Sequence, residues 1–147
     1  MSPRRPPRLV FLLTTAERSV RRWIDARGKG AGVTAATSGV LFYLASQPGA
    51  TMSQLAAALG ASPAGTTGLI KRMEASGLVE RALDEADQRV TRVALTTKGA
   101  ATGREAIAAI GHLNAALTQG FEPHELDIVA RWLGQAAQLL DAPPEPD

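Results

Sequence analysis

The segment from Ser62 to Gly99, SPAGTTGLIKRMEASGLVERALDEADQRVTRVALTTKG, restricts the fold more than any other part of the chain. Ser62-Pro63 is a helix start. A serine hydroxyl accepts from first-turn N–H groups, and a proline at the first helical position lacks an N–H that would have no partner there. Gly77 supplies the left-handed stop. Thr66, Leu69, Ile70 and Met73 recur on one face of this helix. Ala64, Gly68, Lys71, Arg72 and Ala75 lie on the other, with Thr67 on the flank. Leu78–Arg81 and Val90–Leu95 then read as two short strands around a polar connection, Ala82–Gln88. A helix followed by a charged hairpin predicts a winged helix.

The flanking sequence completes it. Leu9, Leu12, Leu13, Ala16, Val20, Trp23 and Ile24 mark a long first helix, broken at Arg27-Gly28-Lys29-Gly30-Ala31-Gly32. Thr34 caps a second, with Val40, Leu41 and Leu44 inward, ended by Gln47-Pro48-Gly49. Thr51 and Gln54 fit a capping box for a third, whose buried side is Leu55, Ala56 and Leu59 and whose stop is Gly60. With the Ser62 helix this makes a helix-turn-helix. Thr96 or Thr97 caps a fifth helix with the stripe Ile107, Ile110, Leu113 and Leu117. Pro123 opens a sixth with Leu126, Val129, Leu133, Ala136 and Leu140.

The expected order is ααααββαα, and the fold class is mainly α with a small β wing. It is a winged helix-turn-helix core with N- and C-terminal dimerisation helices, because the first, fifth and sixth helices carry more apolar surface than so small a module covers. The expected layout is one domain over 8–141. The winged lobe is 34–99, the dimerisation helices are 8–27 and 97–141, and 1–7 and 142–147 are flexible tails.

Composition narrows the chemistry. At 45% hydrophobic and 20% charged, the 147 residues can build a core. There are no cysteines, which removes disulfides, thiolate metal sites and thiol redox sensing. No apolar run approaches the ~20 residues that cross a bilayer, and Leu9–Leu13 is too short for a signal peptide's apolar region. A soluble cytoplasmic protein without a membrane partner is expected. His112 and His124 are the only histidines, and with Glu105, Glu122, Glu125 and Asp127 they form no recognised metal-ligand spacing. No phosphate loop or catalytic triad is visible, so neither an enzyme nor a cofactor is expected. Residues 1–50 carry net +6 and residues 105–147 net −6. The basic part can face DNA phosphates, and the two ends can equally attract each other within or between chains.

The outer face of the Ser62 helix can enter a major groove. Ala64, Gly65 and Gly68 let backbone approach closely, Thr67 offers a hydroxyl and a methyl, and Lys71 and Arg72 reach phosphates or guanine acceptors. An ordinary solvated helix face is the plain alternative. Asp87-Gln88-Arg89 is sharper. An arginine at a hairpin tip can insert into a minor groove, with the carboxylate two residues earlier orienting it. Ser53, Ser62, Arg72, Arg81 and Arg92 are further expected phosphate or wing contacts.

Thr51–Gly99 resembles the DNA-binding core of the MarR family of bacterial regulators. The resemblance rests on Gln54-Leu55-Ala56, Gly60, Thr67, Gly77-Leu78-Val79-Glu80-Arg81, Asp87-Gln88-Arg89 and Leu95-Thr96-Thr97-Lys98-Gly99. It implies a homodimer on a pseudo-palindromic double-stranded operator. It also implies a cleft between the dimer helices and the DNA-binding lobe for a small aromatic or anionic effector. Arg22, Trp23, Phe42, Tyr43 and His112 are the cleft candidates, although Trp23 and Phe42 also read as plain core. Many relatives carry an arginine where this chain has Gly68, so their site preference does not carry over.

The expected function is a sequence-specific DNA-binding regulator, a homodimeric repressor released from its operator by an effector. The alternative is a small-molecule-binding or protein-interaction dimer that keeps the fold without specific DNA binding.

Overall fold

The computed structural model describes residues 7–30 and 32–141. The expected tails, 1–7 and 142–147, lie outside these residues except for Pro7. The elements run α1 (Leu9–Gly28), α2 (Ala35–Ser46), β1 (Ala50–Thr51), α3 (Met52–Leu59), α4 (Pro63–Ala75), β2 (Val79–Leu83), β3 (Thr91–Leu95), α5 (Thr97–Leu117) and α6 (Pro123–Asp141). Two compact units contain them, Met1–Ile107 and Ala108–Asp147.

In the first unit, side chains at the helix starts satisfy first-turn N–H groups that have no intrahelical partner. Thr34 and Thr37 form a capping box on α2, and Thr51 and Gln54 form one on α3. The Ser62 hydroxyl accepts from the Gly65 N–H at the start of α4. The Asp25 carboxylate of α1 takes the Ala35 N–H, tying the first helix to the second. Gly60 and Gly77 have φ of 59° and 74°, the left-handed conformation that ends α3 and lets the chain leave α4 for the hairpin.

The sheet has the order β1-β3-β2, antiparallel throughout. β2 pairs with β3 from Val79↔Leu95 to Leu83↔Thr91, so the strand runs two residues past Arg81, where the sequence reading ended it. Ala82 and Leu83 are recruited by their partners Arg92 and Thr91 rather than by their own alternation. The two-residue strand β1, with Ala50↔Val93 and Thr51↔Arg92, was not expected. A strand this short has no periodicity to detect.

The core is Val40, Leu41 and Leu44 of α2, Leu55 of α3, Leu69, Ile70 and Met73 of α4, and Ala50, Leu78, Val79 and Val93 around the sheet. The helix-turn-helix and the wing therefore share one apolar centre. Burial of these side chains, about 1.5–3 kcal/mol for each large one, holds α4 against the hairpin.

α1 contributes no buried residue. Leu9 and Leu12 are exposed, while Leu13, Val20, Trp23 and Ile24 are half-buried. In the second unit α6 likewise buries nothing, and Val129, Leu133 and Leu140 of its apolar stripe are exposed. The α5 stripe is exposed at Ile107 and Leu117 and half-buried at Ile110 and Leu113.

Candidate nucleic-acid interface

α4 turns Thr66, Leu69, Ile70 and Met73 into the core, which leaves Ala64, Gly65, Lys71 and Arg72 exposed and Thr67 and Gly68 half-buried. Ser62 at its start and Ser53 on α3 are exposed as well. The outer face is therefore low at its N-terminal end and cationic one turn later. The Thr67 hydroxyl donates to the Pro63 carbonyl at 2.9 Å, so its proton is used within the helix and its methyl and a lone pair remain. A Cβ at Gly68 would stand 3.5 Å from the Arg72 guanidinium, which lies back over the glycine.

The most exposed of the paired wing arginines is at the turn. Arg89 has a side chain 91% exposed, yet it is not loose. Its Nε and Nη2 donate to the two Asp87 carboxylate oxygens at 3.1 and 3.3 Å, and its backbone N–H donates to Asp87 Oδ1 at 3.0 Å. This fork holds the guanidinium beside the turn while its outer donors face solvent. The Arg89 guanidinium, then its N–H, keeps the Asp87 carboxyl below the usual carboxylate range.

Behind this tip sits Asp84, which sequence reasoning passed over. Its Oδ1 accepts the Ala86 and Asp87 N–H groups at 2.8 and 3.1 Å, and its Oδ2 receives Arg92 Nε. Arg92 lowers the Asp84 pKa most, followed by the two N–H donors. Nη1 of Arg92 reaches the Gly49 carbonyl at 2.9 Å. Arg81 is also occupied: its Nη2 donates to Glu74 of α4 at 3.0 Å and its backbone N–H to the same carboxylate, which lowers the Glu74 pKa. Aspartate, two residues, then a second aspartate was the signal available for Asp84, since such residues bond their own backbone two or three positions on. Nothing local announced Arg92–Gly49, a contact spanning 43 residues.

The expected cleft residues are divided. Arg22, Trp23, Phe42 and Tyr43 belong to the first unit and His112 to the second. Arg22 bonds the Ser19 hydroxyl, and the Trp23 ring is covered by the Arg27 guanidinium, 4.8 Å from its centroid. Tyr43 packs against the core as half-buried surface. An open apolar groove lies instead along α1 and the start of α2, lined by Leu13, Ala16, Val20, Ile24 and Ala35 with the Glu17–Arg21 ion pair at its edge. Among the described residues no group of three or more acidic or histidine side chains is placed to hold a metal ion. Among them, too, no helix is long and apolar enough to cross a membrane.

Residues 31–90 match the profile of the MarR family. The fold is similar to that of Staphylococcus aureus MepR solved in complex with DNA, at 20% identity over 92% of this chain and 100% of that one, with a TM-score of 0.84. It is similar to a MarR protein from Peptoclostridium difficile at 18% identity over 95% and 92%, with a TM-score of 0.86. AbfR bound to DNA is 25% identical over 90% and 91%, with a TM-score of 0.70. No curated protein matches the sequence.

Proposed function

We propose that this winged-helix chain, whose residues 31–90 match the MarR family, is a DNA-binding transcriptional regulator of that family acting as a homodimer on a pseudo-palindromic operator. The carrying observation is the Asp87–Arg89 fork at the wing tip, on the same compact unit as the exposed face of α4. MepR and AbfR have each been solved with DNA, in this same fold. Regulators of this family are in general not enzymes.

In this reading α4 enters a major groove. Ala64, Gly65 and Gly68 allow close approach, the Thr67 methyl meets base edges, and Lys71 and Arg72 supply cations. Arg89 enters the adjacent minor groove, where negative potential concentrates at narrow tracts. Ser53 and Ser62 stand at helix starts, where hydroxyls and N–H groups meet phosphates.

The exposed apolar stripes of α1, α5 and α6 serve as the dimerisation surface, over 8–27 and 97–141, with the winged lobe at 34–99. Two recognition helices then sit about 10 bp apart, one helical turn centre to centre. A small aromatic or anionic effector, bound near Arg22, Trp23, Phe42 and Tyr43 of the first unit, weakens DNA binding by favouring a dimer spacing that misfits both grooves.

Selection of duplexes from a random pool with the purified protein tests this reading. Enrichment of an inverted repeat with half-sites about 10 bp apart is expected. Enrichment of nothing, with the protein dimeric, supports instead a ligand- or protein-binding dimer that keeps the fold, a reading that the sparse donors on α4 around Gly68 favour.

A further inference from the structure

Two of the five N–H donors of the Arg92 guanidinium are committed within the lobe. Its Nε is held by Asp84 and its Nη1 by the Gly49 carbonyl. The two acceptors belong to different parts of the lobe. Asp84 closes the wing, since its N–H donates to the Val90 carbonyl at 2.8 Å and its carboxylate gathers the Ala86 and Asp87 N–H groups. Gly49 precedes β1, whose Thr51 pairs with Arg92 and caps α3, the first helix of the helix-turn-helix. A continuous series of bonds thus runs from the Arg89 guanidinium to Asp87, through the Asp87 N–H to Asp84, then through Arg92 to the base of the helix-turn-helix. The Asp84 side chain is 14% exposed, in contrast with 91% for Arg89.

We propose that Asp84 and Arg92 are positioning residues that set the wing arginine against the helix-turn-helix and act on DNA only through Arg89. The inference rests on the DNA-binding reading above. Arg92 suits this role because the planar guanidinium spans two acceptors on different elements, which a single ammonium nitrogen does not reproduce.

The two roles predict opposite signs. Removing a carboxylate close to DNA tightens binding if charge alone matters. The positioning role predicts that Asp84→Asn weakens binding to the selected duplex about tenfold, the size of a lost specific contact. It predicts that Arg92→Lys, which keeps the charge, weakens binding nearly as much as Arg92→Ala. In an Arg89→Ala background neither change weakens binding further, because the residue they act through is gone. Tighter binding by Asp84→Asn, wild-type binding by Arg92→Lys, or additive losses with Arg89→Ala would each overturn the proposal.

Amide exchange in the free protein is the second measurement, independent of DNA. Asp84→Asn and Arg92→Lys should both speed exchange at Ala86 and Asp87 while the core amides of Ile70 and Met73 remain protected. Unchanged exchange at the wing would overturn the proposal even if no duplex is ever bound. Failure of the wild-type protein to bind any duplex would strike the functional reading instead.

Discussion

Gly99 lies so close to Leu78 that a Cβ there would stand 1.8 Å from the Leu78 carbonyl oxygen and 2.8 Å from its carbonyl carbon. The contact brings the start of α5 onto the exit from α4. The Thr96 N–H donates to that same carbonyl at 3.1 Å, its hydroxyl donates to the Gly77 carbonyl, and the Gly99 N–H returns to the Thr96 hydroxyl at 3.0 Å. Lys98 reaches the Ser76 carbonyl at 2.8 Å. The carbonyls of Ser76, Gly77 and Leu78, just past the end of α4, are thus satisfied by the Leu-Thr-x-x-Gly segment, which makes that segment a structural clamp.

Gly99→Ala should therefore destabilise the protein by about 1–3 kcal/mol or more, since the overlap is with backbone that a rotamer change does not relieve. Urea unfolding measures it. A midpoint equal to wild type would mean that α5 shifts without cost.

Gly68 gives the opposite expectation. Its Cβ would make an ordinary contact, 3.5 Å from Arg72, in the interior of α4. Gly68→Ala should stabilise the fold by up to about 1 kcal/mol through helix propensity. A rise in the thermal midpoint, accompanied by weaker binding to the selected duplex, would show that the glycine serves groove access. A rise with unchanged binding would mean that the helix face has room to spare.

Three carboxylates set the acid limit. Glu74, Asp84 and Asp87 are held below their ordinary values of 4.5, 3.8 and 3.8 by hydrogen bonds from Arg81, Arg92 and Arg89 respectively. A lowered folded pKa means that the unfolded chain takes up protons first as pH falls. The stabilisation is complete above the ordinary carboxylate range and is lost as pH drops through the lowered values. Stability from these groups should hold from neutral pH to about 5 and decline below about 4. Asp84→Asn should flatten the decline, as followed by unfolding midpoints between pH 3 and 7.

Much of the lobe was legible because it is built from local signals. Thr51-x-x-Gln54, Ser62-Pro63, Gly60 and Gly77 each specify a boundary within a few residues, and the α4 core face follows from periodicity alone. The Asp87–Arg89 fork is local too, two residues apart. What escaped reading is non-local or too short. β1 exists only because β3 is there to pair with it, and Arg92 looks like a surface cation until folding brings Gly49 beside it. The α1 and α6 stripes were legible as apolar, but one chain leaves them uncovered, so their partner is not written in either helix.

The proposed dimer carries a salt signature. If the basic first third meets the acidic last third across the dimer, screening should raise the dissociation constant, because the Debye length falls from about 10 Å at 0.1 M salt to about 3 Å at 1 M. Sedimentation at the two concentrations measures this. A tight dimer insensitive to salt would assign the stability to the apolar stripes.

The central claim is that this lobe grips DNA through the wing arginine. Fluorescence anisotropy of a selected duplex, titrated with wild type and Arg89→Ala at several salt concentrations, tests it most directly. The account predicts binding weakened by about 1–3 kcal/mol per site and a salt slope shallower by about one unit for each arginine removed. Equal affinity and equal slope for the two proteins would contradict it.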